Sequence, residues 1–386
     1  MKDIAILSSV RTAIGKAVKG TLRDVRPETY GAVVVREAVL RAGISPGDVS
    51  DLVMGCAMPE AEQGMNVARS IAFLSGLPYT SSAVTVNRFC SSGLHAIADV
   101  AKAIHANQYQ IGIGGGVESM SLVPMGGNKP SINPVLMQTY PEANTPMGIT
   151  AENVAKKYNI SRQAQDEYSV ESHRRACLAI KNGWFDDEIV PFAADVYAED
   201  GSKKTVRFGK DEGPRADTTL AALAKLKTVF DKSGTVTAGN ASQISDGAAA
   251  AVLMDAKDAK AAHYNIMGYF RGFVTAGVPP EMMGIGPVPA IRKLLDHMGL
   301  KIDDIGVFEI NEAFAAQAVY SIRELALDPE KVNPCGGAIS LGHPLGCTGA
   351  RQVATILREM KRKQAKYGVV SMCIGGGMGA AGLIEI

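Results

Sequence analysis

Two cysteines and one histidine in this chain stand in local contexts that suit chemistry better than packing. Cys90 lies in VTVNRFCSSGLHAIADVAKAI, where an extended apolar run gives way to a helical one. A thiol there meets the unpaired N–H groups and partial positive charge of a helix N-terminus, which favour thiolate. Ser91, Ser92 and Gly93 beside it leave room for a substrate. His343 sits in GGAISLGHPLGCTGA between Gly342 and Pro344, a rigid setting suited to a fixed base or hydrogen-bond donor. Cys373, in VVSMCIGGGMGAAG, ends a buried-strand pattern just before a run of glycines. Their backbone N–H groups can approach a developing negative charge, as an oxyanion hole requires. An inert core cysteine is the alternative at each thiol, and a surface-turn histidine at His343. Asn311 and Glu312 follow the apolar run GVFEI and need partners if buried, so they mark a structural network or a site. GNASQISDGAAA, from Gly239, could be a phosphate-cradling turn but lacks the P-loop pattern and its lysine. The other five histidines lie in helix-like or irregular polar contexts.

These residues are spread over most of a chain of 386 residues, more than one hydrophobic core usually serves. Hydrophobic residues make up 46% and charged residues 20%, the balance of an ordinary globular protein. A formal net charge of +1 gives no global field to recruit nucleic acid or an anionic membrane. No apolar run approaches the ~18 residues of a membrane span, and the N-terminus has no secretory or transit pattern. A cytoplasmic protein is the expectation. The six cysteines (Cys56, Cys90, Cys177, Cys335, Cys347 and Cys373) form neither CxxC pairs nor Cys/His groupings at zinc spacing. No metal site is expected.

Internal similarity indicates how the elements are arranged. REAVLRAGISPGDVSDLVMG, from Arg36, aligns with RKLLDHMGLKIDDIGVFEIN, from Arg292, so that Gly43 matches Gly299 and Asp48 matches Asp304. Each copy reads as an amphipathic helix, a glycine cap, a short turn with Asp, then an apolar strand. FCSSGLHAIADVAKAI also resembles GCTGARQVATILREM, and IGIGGGVES resembles SMCIGGGMG. Three pairings in the same order point to duplicated α/β halves with mixed or parallel sheets covered by helices. The stretch from about Ser121 to Gln243 lacks that rhythm. It carries two helical patterns and a charged segment, and reads as an excursion able to cover a ligand site.

VNRFCSSG, NEAF, GGAISLGHPLGCTGAR and MCIGGGMGAA resemble, in order, the signature blocks of the thiolase family. GGVESMS, MGITAENVA, DEIVPF and TVTAGNASQISDGAAA are similar to its intervening regions, and the likeness covers essentially the whole chain. The resemblance implies two similar α/β halves in a five-layered αβαβα core, with a loop subdomain inserted in the first. Here those would be 1–262, including the loop subdomain at about 121–243, and 263–386. It implies Cys90 as the acylated nucleophile, His343 as the base that activates it, and Cys373 as the acid/base at the α-carbon of acetyl-CoA. Asn311 would hold a water that, with His343, binds the enolate oxygen. The N–H groups of Cys90 and Gly375 would form a second oxyanion hole. Ser242 resembles a contact to the pantetheine arm of CoA, Arg215 one near its nucleotide, and Met147, Phe230, Ala313 and Phe314 pocket walls.

The implied reaction is cleavage of 3-ketoacyl-CoA by a second CoA, with CoA a substrate and no cofactor required. A homodimer or homotetramer and a hydratase/dehydrogenase partner are further implications. Pro146 stands where biosynthetic acetoacetyl-CoA thiolases usually carry His, which favours the degradative, β-oxidation branch. The biosynthetic branch remains the near rival. Decarboxylating ketoacyl synthases use two histidines, and Asn311 occupies the place of one. A non-catalytic lipid carrier would not need Cys90, His343 and Cys373 together.

Overall fold

The computed structural model describes residues 3–386. The first half runs β1 (Ile4–Arg11), β2 (Gly15–Lys16), α1 (Pro27–Ala42), β3 (Asp51–Gly55), α2 (Val67–Ser75), β4 (Ser82–Val86), α3 (Ser92–His105) and β5 (Ile111–Ser119). An excursion follows with α4 (Pro134–Thr139), α5 (Met147–Lys157), α6 (Arg162–Lys181), β6 (Phe192–Tyr197), β7 (Lys203–Phe208) and α7 (Leu220–Leu223). β8 (Ser245–Asp255) and α8 (Ala256–Ala261) return to the core. The remainder is β9 (Gly268–Gly277), α9 (Pro287–Met298), β10 (Ile305–Ile310), α10 (Ala315–Glu324), α11 (Ala338–Leu341), α12 (Leu345–Lys363), β11 (Tyr367–Ile374) and β12 (Met378–Glu385).

The duplication read from the sequence is present in the strand order. β3, β5, β8 and β1 lie side by side, as do β10, β11, β12 and β9. In both sets the first pair is parallel and the next two antiparallel. The match extends to single residues. Gly43 and Gly299 end α1 and α9 in the left-handed conformation, at φ 69° and 65°. The next turns are closed alike: Asp48 accepts from Ser45 N–H at 3.0 Å and Asp304 from Lys301 N–H at 2.7 Å.

Five layers result. α1 and α2 cover the outside of one sheet half, α9 and α10 the outside of the other, and α3 and α12 lie between. The pleat of β8 serves two cores at once: Ala248, Ala250 and Val252 face outward while Ala249, Ala251 and Leu253 face the central helices. α12 packs on β5 and β8 of one half and on β10 and β11 of the other.

Two features had no clear sequence signal. Residues Ile4–Ile6 of β1 also pair with β9, so both halves belong to one ten-stranded sheet, with β2 attached to β8 off its main path. The charged stretch of the excursion holds the β6–β7 hairpin. No helix among the described residues is long and apolar enough to cross a membrane.

The central helices approach so closely that side chains are excluded at the contact. A Cβ on Gly93 would lie 2.7 Å from the Gly346 carbonyl oxygen, and one on Gly116 would land on that same oxygen. Gly116→Ala is therefore expected to cost ~3 kcal/mol or more, or to prevent folding. Gly277→Ala, with no atom within 4 Å of the new methyl, should stay within ~1 kcal/mol of the parent. Urea unfolding of the two variants checks the contrast.

Candidate active site

Cys90 is delivered by a single tight turn, Phe89–Ser91, between β4 and α3. Phe89 holds φ 43°, a left-handed conformation costly for a bulky residue. Neighbours hold the turn in place. Asn87 accepts from Phe89 N–H at 2.8 Å, and Ser92 Oγ accepts from Arg88 N–H at 2.9 Å while donating to Phe89 O at 2.7 Å. The Cys90 side chain is buried, and the N–H groups of Gly375 and of Cys90 itself lie where they favour negative charge on its sulfur. Gly375 opens the turn between β11 and β12, one residue past the end of β11 and two past buried Cys373. The two thiols are near enough that charge on Cys90 disfavours charge on Cys373.

Asn311 follows β10 directly and is anchored by its N–H to Ser371 O at 2.8 Å. Its Nδ2 lies 3.2 Å from His343 Nε2, and its Oδ1 has no partner among the described residues. His343 Nδ1 lies 2.6 Å from Thr348 Oγ1. Gly342, at φ 105° and with no room for a Cβ beside Ser245 Oγ, sets the loop before the histidine. Gln243 straps that loop down: its carbonyl accepts from His343 N–H at 3.0 Å and its Nε2 donates to Ile339 O at 3.0 Å. The Gly239 segment thus clamps the His343 loop.

Glu312, by contrast, belongs to a structural network. Its carboxylate accepts from Tyr168 at 2.9 Å, Ser172 at 2.7 Å, Asn333 at 3.0 Å and Ile339 N–H at 3.1 Å. Of the adjacent pair Asn311–Glu312, only Asn311 faces the histidine.

Residues expected as pocket walls gather around Cys373. Ala313 and Phe314 share a cluster with it, and Met147 packs against that cluster. Phe230 meets Phe314 edge to face, with ring centroids 6.1 Å apart. Ser242 N–H donates to Ala313 O at 3.0 Å. Ser242 and Phe230 also line a groove of about 510 Å³ together with Lys16 and Lys19. Arg215 stays outside this cluster, exposed, with its N–H donating to His173 Nδ1 at 3.1 Å. Among the described residues, no group of His, Cys, Asp and Glu is arranged to hold a metal.

Models of the thiolase N-terminal domain and C-terminal domain match residues 4–257 and 264–386. The chain belongs to the thiolase family. It is therefore an acyltransferase by family. The 3-ketoacyl-CoA thiolase of Bacillus subtilis (strain 168) is 53% identical, with 100% of both chains covered. Among solved structures, the Bacillus anthracis acetyl-CoA acetyltransferase has a TM-score of 0.91 at 40% identity, covering 100% of this chain and 99% of its own. The dimeric peroxisomal thiolase of Saccharomyces cerevisiae has a TM-score of 0.88 at 43% identity, covering 100% of this chain and 97% of its own.

Burial sets the charge state of this thiolase site. It pushes the Cys90 thiol up to about 12, against the pull of the Gly375 and Cys90 N–H groups. It also pushes His343 down to about 3, with the Arg351 charge adding to the effect. Desolvation therefore opposes the thiolate that a helix terminus favours, and is the larger of the two effects at Cys90. Burial thus favours the thiol of Cys90 and the neutral imidazole of His343.

Residue-by-residue reading missed several contributors. Thr348 looks like an ordinary helical threonine in GCTGAR. Lys16 and Lys19 gain meaning only from lining the groove beside Ser242. His173, unremarkable in its sequence context, is buried and held down to about 4 by desolvation and by nearby Arg215.

The preference for the thiol has a direct consequence. Alkylation of Cys90 by iodoacetamide, followed from about pH 6 to 10, is expected to climb without a plateau below the ordinary thiol range near about 8.5. A plateau reached below about pH 7 would reveal a thiolate–imidazolium pair and overturn the neutral assignment.

Proposed function

We propose that this member of the thiolase family cleaves 3-ketoacyl-CoA with CoA through an acyl-Cys90 intermediate, in the degradative direction of fatty-acid β-oxidation. One observation carries the reading: two buried thiols, Cys90 and Cys373, lie close together at the Gly375 turn, and a buried His343 is braced by Asn311. A single nucleophilic cysteine would need no second thiol.

The proton and electron balance uses each group once in each direction. His343 takes the Cys90 proton as sulfur attacks the 3-keto carbon, and the resulting oxyanion meets the N–H groups of Cys90 and Gly375. Collapse breaks the carbon–carbon bond, and its electron pair becomes the enolate of acetyl-CoA. Asn311 and His343 bind the enolate oxygen, Asn311 through a water, while Cys373 protonates the carbon. CoA then gives its proton to the Cys373 thiolate and attacks the acyl-Cys90 carbonyl. The Cys90 sulfur departs and recovers its proton from His343. In a dry site, charge need appear only during these transfers.

The groove beside Ser242 and Phe230 suits the pantetheine arm, with Lys16, Lys19 and Arg215 as cations toward the phosphates. Met147, Ala313 and Phe314 wall the reacting end. A solved relative described as dimeric supports a homo-oligomer. Exposed Val84 on the edge strand β4, with Met65 and Phe73 close in the chain, offers an apolar surface for it. A cytoplasmic setting and docking to a hydratase/dehydrogenase remain parts of the same proposal.

The fold does not separate the two branches, since the acetyl-CoA acetyltransferase superposes well. Pro146, N-cap of α5, supports the degradative one, as do relatives named 3-ketoacyl-CoA thiolase at 46–53% identity. Four extra methylenes, at about 0.8 kcal/mol each when fully buried, bound the gain near 10²-fold. Steady-state thiolysis of 3-ketooctanoyl-CoA should exceed that of acetoacetyl-CoA by ~10-fold in kcat/KM. A series with acetoacetyl-CoA best would assign the biosynthetic branch instead.

The division of labour between thiols has its own test. Cys373→Ala should depress carbon–carbon cleavage by more than ~10²–10⁴-fold while acyl exchange between CoA and Cys90 partly survives. Equal loss of both activities would refute a separate role for Cys373.

A further inference from the structure

We propose that Thr348 is a positioning residue that fixes which nitrogen of His343 accepts the Cys90 proton. The inference rests on the reading of His343 as the base, and deepens it.

A hydroxyl has one hydrogen to give. Thr348 Oγ1 lies 2.9 Å from Pro344 O, the carbonyl one helical turn back, and commits its hydrogen there. Toward His343 Nδ1, 2.6 Å away, it can then only accept. The proton of the neutral imidazole therefore sits on Nδ1, leaving the Nε2 lone pair facing Asn311. Asn311 completes the pattern by presenting Nδ2 to Nε2 at 3.2 Å, as a donor to that lone pair. The opposite tautomer would need Thr348 to forsake Pro344 and Asn311 to turn its amide over.

The surroundings reinforce the choice. Thr348 is fully buried, so no solvent competes for its oxygen. It stands in the first turn of α12, whose backbone is pinned by Gly346 N–H donating to Glu118 at 2.7 Å. Among the charged groups of α12, Arg351 is the one that acts on His343, and as a cation it opposes protonation of the ring. Its guanidinium pairs with Glu309 of β10 at 3.1 Å. The imidazole is thus held neutral and aimed, with its basic nitrogen on the side of Asn311. In the acylation step the Cys90 S–H bond breaks and its proton goes to Nε2, while Nδ1–H stays donated to Thr348. When CoA has taken the acyl group, the same Nε2 proton returns to the Cys90 sulfur.

The test compares Thr348→Val, Thr348→Ser and the control His343→Ala. Thr348→Val keeps the shape and removes the acceptor. It is expected to slow acetylation of Cys90 and kcat by about 10²-fold, with KM for the acyl-CoA substrate changed by less than about threefold. Thr348→Ser, which restores the oxygen, should return kcat to within about threefold of the parent. Parental activity in Thr348→Val would overturn the proposal. So would equal impairment in Thr348→Ser and Thr348→Val, since packing rather than the hydroxyl would then be at stake. If His343→Ala itself retained activity, the role of His343 would fail instead, and the control separates the two failures. Should Thr348→Val not fold, the imidazole ¹⁵N shifts of the parent protein decide. A pyridine-type signal at His343 Nε2 supports the proposal, and one at Nδ1 overturns it.

Discussion

The close contact of α3 and α12 is the constraint on which the site depends. Both helices are trapped between the two sheet halves, and their first turns touch through glycine. A Cβ on Gly349 would meet Leu94 N at 2.5 Å, and one on Gly346 would meet Cys56 Cα at 2.7 Å. Glu118, at the end of β5, locks the junction. Its buried carboxylate accepts from Ala57 N–H at 2.8 Å, Met58 N–H at 3.2 Å, Gln63 at 2.9 Å and Gly346 N–H at 2.7 Å. One side chain thereby joins the loop after β3 to the start of α12. The Cys90 turn precedes one of these helices and the His343 loop precedes the other. Any change that parted the helices would move the Cys90 turn away from the His343 loop.

The same burial that gives precision makes charge expensive. It raises both thiols and lowers His343, so it favours the uncharged forms of all three side chains. A buried neutral site discriminates by geometry: a charge must arise next to the group built to receive it. The polar groups that remain are divided accordingly. Glu312 spends its lone pairs on structure, whereas Asn311 keeps Oδ1 unpartnered among the described residues. Ser91 Oγ, beside Cys90, is likewise buried and unpartnered among them. Unsatisfied buried atoms are costly in an inert core and are more at home where a substrate will bind.

Much of the fold and the site is legible in the amino-acid sequence. Cys90, His343, Cys373 and Asn311 stand out because glycine, proline and small residues surround them at element boundaries. Gly43 and Gly299 mark equivalent helix ends because a left-handed cap strongly favours glycine. What stays hidden is tertiary. Joining β1 to β9 depends on a register that neither strand encodes alone. The hairpin strand KKTVRF is mostly exposed, so its alternation is masked by charge. The position of Cys90 before a helix suggests thiolate, but the depth of its burial, which reverses the preference, is not written in neighbouring residues. Thr348 escapes notice because a threonine in a helix looks ordinary until its two partners are seen.

Trapping the intermediate tests the central claim most directly. The protein is exposed briefly to acetoacetyl-CoA or acetyl-CoA, quenched in acid and digested, and each cysteine peptide is weighed by mass spectrometry. The account predicts an acetyl adduct on the Cys90 peptide, absent from Cys373 and lost in His343→Ala. An adduct confined to Cys373 or another cysteine, with Cys90 unmodified, would contradict it.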